Sequence, residues 1–304
     1  MEIVPFGGWD RCARFVLGKV ELLVTMEVGP RVIRFGTIDG PNELKEYADQ
    51  MGKSGGNKYH SYGGHRLWIG PEDEVRTMQP DNDPVEHVSG GEWEAFRSKP
   101  DKFFMQKEIA IAVDKRRKAI RLRHRIYNRG AYDVKLTPWT ITVMAENGEC
   151  LFPHAPFQPH PQRLLPVRPL VLWSYTRLSD PRYILGPGLV RLRHDTAGDN
   201  QKIGMPVEQG YAAYSNHGNL FLKRFGYVEG AEYPDLGCNF ETFTRHDMLE
   251  IESLGPLQRV KAGSYAEHDE TWYLVENVTT PEDTAQAASW LESIAKDRPH
   301  LTDH

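Results

Sequence analysis

The chain is poor in cysteine: three in 304 residues, at Cys12, Cys150 and Cys238. Three scattered thiols cannot build a disulfide framework, and no CxxC pair offers a zinc site. A reducing compartment is the expectation. No stretch approaches the roughly 18 consecutive apolar residues of a membrane-spanning helix, so no membrane partner is expected. Charge of one sign is also missing. With 37 Lys+Arg against 42 Asp+Glu the net charge is −5, which gives no drive toward nucleic acid. The opening MEIVPFGGWDR has no basic segment followed by an apolar run, so a cytoplasmic location is expected. Several motif classes are absent as well: GxGxxG after a strand, the P-loop, GxSxG and HExxH.

What the chain has in abundance is alternation. Ile120, Leu122, His124 and Ile126 interleave with Arg121, Arg123 and Arg125, a period of two with one apolar and one charged face. The segments 20–28, 31–38, 104–113 and 134–144 also read as strands, rich in β-branched and aromatic residues. Further strands are expected at 170–175, 189–194, 211–215, 220–225, 238–243, 248–254 and 267–275. Turn formers such as Asp39-Gly40-Pro41-Asn42 and Glu146-Asn147-Gly148 separate them.

One helix is expected, near the C-terminus. Thr280 would cap it, Pro281 would sit at its first position and Asp283 three residues on. Ala287, Trp290, Leu291 and Ile294 then form one stripe that packs on the outside of a sheet. So many strands with so little helix predict an all-β protein, a large antiparallel β-sandwich. There is no internal repeat. The Gly- and Lys-rich segment 49–62 and the proline-rich segment 153–169 read as loops, and strand patterns resume unchanged after each, so one domain over 1–304 is expected.

Three stretches can carry chemistry. In Met248-Leu249-Glu250-Ile251-Glu252-Ser253-Leu254, strand geometry puts Glu250 and Glu252 on one face, about 7 Å apart. If that face is enclosed, pairing raises the proton affinity of at least one of them; otherwise both merely keep it soluble. Upstream, Asn239, Glu241 and Phe243 share a face. A hairpin through Arg245-His246-Asp247 would bring them beside the two glutamates. Amides, carboxylates and an aromatic suit a polyhydroxylated ligand; the plainer role for Glu241 is a cross-strand ion pair.

The second stretch is Gly63-Gly64-His65-Arg66-Leu67-Trp68. Its glycines permit close backbone approach. Read as a turn, it offers His65 for proton exchange, Arg66 to hold an oxyanion or carboxylate, and Trp68 as a stacking platform or core residue. The third is the stiff loop Phe152-Pro153-His154-Ala155-Pro156-Phe157-Gln158-Pro159-His160, where His154 and His160 could rim a cleft. His65, His154 and His160 match no metal-ligand spacing, and neither metal nor cofactor is expected.

These stretches, with Gly8-Trp9, Val28-Gly29-Pro30-Arg31-Val32-Ile33-Arg34-Phe35 and the ending Leu249-Glu250-Ile251-Glu252…Gly255-Pro256…Ala262-Gly263-Ser264…Glu267…Trp272, resemble the galactose mutarotase-like (aldose 1-epimerase-like) superfamily. The resemblance runs from about Phe6 to Leu274 and is closest to uncharacterised bacterial branches. It implies a supersandwich of antiparallel strands with a sugar site on the concave face of one sheet. It implies too that Glu250, in a late-strand Leu-Glu context, is the general base at the anomeric hydroxyl. The family's acid is a histidine in an Asn-His-x-Tyr-Phe-like strand centre. Here that place reads Leu136-Thr137-Pro138-Trp139-Thr140-Ile141-Thr142, without a histidine. His65, beside paired glycines, matches another histidine of the family and becomes the expected acid. Arg66, Trp68, His154, His160, Asn239, Glu241 and Glu252 are the expected ligand-binding residues. The leading expectation is an epimerase-like enzyme acting on a sugar or sugar derivative. A non-catalytic carbohydrate-binding protein and a lyase or hydrolase of oligosaccharides stand as alternatives.

Overall fold

In a computed structural model that describes residues 1–302, twenty-one strands pair antiparallel into two sheets. The first sheet runs in the order β1 (Glu2–Phe6), β2 (Trp9–Leu17), β3 (Val20–Thr25), β4 (Arg31–Thr37), β5 (His65–Gly70), β10 (Val134–Met144), β19 (Met248–Leu254), β18 (Phe240–Arg245), β15 (Gln201–Met205) and β12 (Val171–Leu172), with β20 (Gln258–Val260) on the far end of β10. The second runs β13 (Tyr183–Leu185), β14 (Leu189–Arg193), β11 (Glu149–Pro153), β16 (Tyr211–Asn216), β17 (Asn219–Phe225), β21 (Tyr265–Val275), β9 (Ala119–Asn128), β8 (Met105–Asp114), β7 (Trp93–Arg97) and β6 (Glu86–Gly90).

The two sheets close on one apolar core. Phe35 of the first sheet meets Phe221 and Trp272 of the second edge-to-face at 5.3 Å, and Phe240 meets Phe152 at 4.7 Å. The alternation expected for 120–126 is present: Ile120, Leu122, His124 and Ile126 face the core, and the arginines between them face outward. Cys12, Cys150 and Cys238 are all buried and unpaired.

The helix, α1 (Thr284–Lys296), starts later than its proline suggests. Asp283, not Thr280, is the cap, its carboxylate accepting from the Gln286 amide at 2.9 Å; Pro281 precedes the helix. An aspartate satisfies an orphan amide better than the earlier threonine, so the helix begins where that bond can form. Ala287, Leu291 and Ala295 pack on Leu189, Tyr211, Ala213 and Leu222, covering the outer face of the second sheet. No helix among the described residues is long and apolar enough to cross a membrane.

Several strands went unexpected, and β5 matters most. The segment read as a turn, His65 to Gly70, is a buried central strand. Only the two glycines before it make the turn. Gly63 and Gly64 have φ of +82° and +67°, and a Cβ there would stand 2.0 Å from the Lys45 carbonyl oxygen and 2.1 Å from that of Val32. Only glycine fits both the left-handed backbone and the space. The expected strand at 170–175 shrinks to Val171–Leu172.

Candidate functional site

Strand register decides what can meet. Across the first sheet Arg66 lies opposite Ile141, Ile141 opposite Glu252, and Glu252 opposite Glu241. Directly paired residues point to one face, so Arg66, Glu252 and Glu241 share the outer face. Trp68 is opposite Trp139, and Glu250 is opposite Phe243, one row to either side. The expected pairing of β18 and β19 as a hairpin through His246-Asp247 is observed.

Of these, Arg66, Trp68, Trp139, Ile141, Phe243 and Glu250 line a cavity of about 260 Å³, and Glu241 and Glu252 do not. Trp68 and Trp139 form one wall, edge-to-face at 5.4 Å, and Tyr59 stacks edgewise on Trp68 at 5.5 Å. The Arg66 guanidinium lies over Trp68 at 4.5 Å and gives one hydrogen bond to Glu250, Nη2 to Oε1 at 2.9 Å. Its Nε and Nη1 have no partner in the protein, nor do Trp68 Nε1 and the Tyr59 hydroxyl, although all are buried. Buried donors are ordinarily paired. Four unpaired ones around one cavity mark a place where a ligand or water supplies acceptors.

Behind this wall lies a charge cluster. Lys202 Nζ stands 3.2 Å from Glu252 Oε2 and 2.7 Å from Glu241 Oε2, the latter a charge contact without hydrogen-bond alignment. Its ammonium sits 4.7 Å from the ring centres of both Trp139 and Trp173. Glu252 also accepts from Trp139 Nε1 at 2.8 Å. Glu241 and Glu252 are fully buried and Lys202 is 5% exposed. Burial works against the Lys202 charge, but Glu252 and Glu241 outweigh it and hold the ammonium protonated. Burial pushes Glu241 well above the usual carboxylate range, with Lys202 tempering the rise, and Glu252 moves the same way. One ammonium cannot neutralise two buried carboxylates. Glu252 has the indole donor as well, whereas neither Glu241 oxygen has a hydrogen-bond partner, so Glu241 is the less compensated of the two.

His65 is elsewhere. It precedes Arg66 by one residue and therefore faces the sandwich interior, with the whole sheet between it and Glu250. The pairing of His65 with Glu250 as acid and base is corrected on that ground. His65 is fully buried, with Nδ1 2.8 Å from Thr142 Oγ1 and Nε2 2.8 Å from His124 Nε2. His124 donates from Nδ1 to the His268 carbonyl at 3.0 Å, and His268 Nε2 meets Ser253 Oγ at 2.7 Å. Glu270 completes the network, taking bonds from Ser253 and Trp272 and an ion pair from Lys223 at 2.8 Å. Burial holds His65 and His124 below the usual histidine range, and His268 down to about 3.

His65, His124 and Glu270 are the one group among the described residues whose three donor atoms lie within 4.8 Å of one another, as a metal ion would require. The donors are already engaged: the two Nε2 atoms with each other, and Glu270 with the Lys223 ammonium. A divalent ion would have to displace that ammonium in a sealed interior.

The other expected residues scatter. His154 bonds the carbonyls of Ala155 and Gly186 at the edge of the second sheet, and His160 is exposed on the proline-rich loop. Neither lines the cavity. A β-strand that ends at Pro153 carries them away from the first sheet. Asn239 is fully buried and ties the Val207 amide and carbonyl, a fold-holding role. Sequence reasoning missed Lys202 and Tyr59. The signal for Lys202 was present: a single lysine before Ile203, Gly204, Met205 and Val207 must find a partner if that run is buried. Tyr59 lies in a glycine-rich loop and carried no signal.

No protein-family model matches the chain, and no curated protein sequence matches it. Solved structures do. A galactose mutarotase-like protein from Lactobacillus casei is similar at TM-score 0.55 and 8% identity, over 87% of this chain and 100% of that one. A second galactose mutarotase-like protein, from Clostridium acetobutylicum, is similar at TM-score 0.50 and 10% identity, over 90% and 97%. A Synechocystis protein reaches TM-score 0.55 and 12% identity, over 90% and 99%. The chain has the galactose mutarotase-like fold.

Proposed function

We propose that the outer-face cavity binds a sugar or sugar derivative and that Glu250 serves there as general base in an epimerase-like exchange at the anomeric carbon. The observation that carries this reading is the set of unpaired donors (Arg66 Nε and Nη1, Trp68 Nε1 and the Tyr59 hydroxyl) beside aromatic walls. Hydroxyl and ring oxygens accept from such donors, and C–H faces of a sugar pack on indole rings. The names of the similar structures agree.

In this reading Glu250 takes the proton of the anomeric hydroxyl. The bond from the anomeric carbon to the ring oxygen breaks, its electron pair moves to that oxygen, and a donor protonates it. The open aldehyde rotates and recloses on its other face. With His65 behind the sheet, the cavity lining offers the Lys202 ammonium and the Tyr59 and Tyr175 hydroxyls as proton donors.

A non-catalytic sugar binder is the second reading, favoured by the absence of histidine from the cavity lining among the described residues. Saturation-transfer NMR and polarimetry on a panel of free aldoses separate the two. Enzyme-accelerated anomer exchange that Glu250→Gln abolishes, with binding retained, supports the epimerase. Binding without exchange supports the binder. No binding of any sugar removes both.

A further inference from the structure

A second cavity, of about 210 Å³, lies between the 56–57, 79–83 and 98–101 segments and the start of β8. Lys107 projects into it from β8, on the same strand face as the core residues Met105 and Ile109. Lys107 is 4% exposed. Among the described residues its ammonium nitrogen has no hydrogen bond and no carboxylate within ion-pair distance. A charged ammonium in that position is costly, and burial pushes Lys107 down, with Asp81 and Asp101 tempering the fall. Asp81 is committed to Arg31 at 3.1 Å. Asp101 uses Oδ1 to hold the Phe103 and Met105 amides at 2.8 and 2.9 Å, which leaves Oδ2 buried and without a partner in the same cavity. An amine without an acceptor and a carboxylate oxygen without a donor thus face one cavity.

We propose that this cavity is a second, covalent site, in which Lys107 Nζ takes a short hydroxylated aldehyde or ketone as an imine and Asp101 shuttles the protons. A desolvated lysine is a nucleophile. Its lone pair attacks the carbonyl carbon, a C–N bond forms, and the C–O π pair moves to oxygen. The nitrogen gives up its two protons, which Asp101 passes to that oxygen. The C–O bond then breaks as the electron pair left on nitrogen forms the C=N double bond, and the oxygen leaves as one water. No oxidant or reductant is consumed. The ligand's hydroxyls suit Asn57 and Ser98, which also line the space, and its volume admits only a small molecule.

The test is reductive trapping of the intact protein with glycolaldehyde and cyanoborohydride, followed by peptide mass spectrometry. Lys107 is expected to gain the reduced adduct about tenfold faster than the exposed Lys102 and Lys118, which lie outside the cavity lining. Asp101→Asn, which keeps the oxygen that holds the loop amides, is expected to slow Lys107 by at least about tenfold and leave Lys118 unchanged. Labelling of Lys107 no faster than of Lys102 would overturn the proposal. So would an Asp101→Asn rate equal to that of the parent. Neither result depends on whether the outer-face cavity binds a sugar.

Discussion

Replacing Lys202 by methionine removes the ammonium that ion-pairs with Glu241 and Glu252, both fully buried. Breaking a buried pair by deleting one partner costs about 3–5 kcal/mol, because the remaining charge stays desolvated. For a chain of this size, roughly 2 °C of melting temperature accompanies each kcal/mol, so a drop of about 6–10 °C is expected at neutral pH. The pH dependence is the sharper signature. Both carboxylates already titrate above their usual range because of burial, with Lys202 holding the rise in check. Without Lys202 they rise further. A carboxyl with a raised folded pKa contributes stability below its unfolded value, about 4.3, and loses it as pH climbs through the folded value. The deficit of Lys202→Met is therefore large at pH 7–8 and shrinks toward pH 4, where neutral carboxyls need no counter-ion. Urea unfolding of parent and variant at pH 4.5, 6 and 8 measures it. Adding Glu241→Gln to the variant is expected to restore part of the loss at pH 8, as coupled neighbours do. A deficit that is the same at every pH would refute the charge argument and leave only lost packing.

Adjacent residues on opposite faces give a second contrast. Arg66→Met is expected to weaken sugar binding about 10- to 100-fold, the value of one or two charged hydrogen bonds. His65→Gln is expected to leave affinity unchanged and cost about 1–3 kcal/mol of stability, since it disturbs a sealed network; calorimetry and denaturation separate the two. His268, held down to about 3 by burial, is protonated in the unfolded chain below pH 6.5 but stays neutral in the fold. Its contribution is present above pH 6.5 and lost as pH falls. His268→Asn is expected to flatten the stability slope between pH 6 and 4 by roughly 1.4 kcal/mol per pH unit, and an unchanged slope would contradict the burial. Trp139→Phe deletes the indole donor to Glu252 and is expected to cost about 1–3 kcal/mol, read by thermal melting.

The architecture was legible because a half-buried strand writes its period into the sequence. The 120–126 segment shows it, and 248–254 alternates apolar with polar side chains although both of its faces are buried; each is a strand in the sheets. Strands without that contrast were not legible. Gln201–Met205 and Glu149–Pro153 carry no sustained alternation of apolar and polar side chains, so neither shows a period to read. The helix was found from its stripe, while its start was misplaced because two capping signals, Thr280 and Asp283, compete within four residues.

The site was legible only as far as one strand's own parity reaches. Glu250 with Glu252, and Glu241 with Phe243, could be assigned to faces because each pair is two apart in one segment. Joining His65 to Glu250 needed more: whether His65 or Arg66 points outward depends on a register with β10 that nothing local fixes. A shift of one residue exchanges the two faces of a strand entirely. The sheet resolves the choice by placing Thr142 opposite His65 and Ile141 opposite Arg66. That sends the imidazole to the Glu270 network and the guanidinium to Glu250. Gly63 and Gly64 set this phase, since their left-handed turn delivers the chain to β5 with Arg66 on the outer face. The paired glycines that drew attention to His65 thus serve its neighbour.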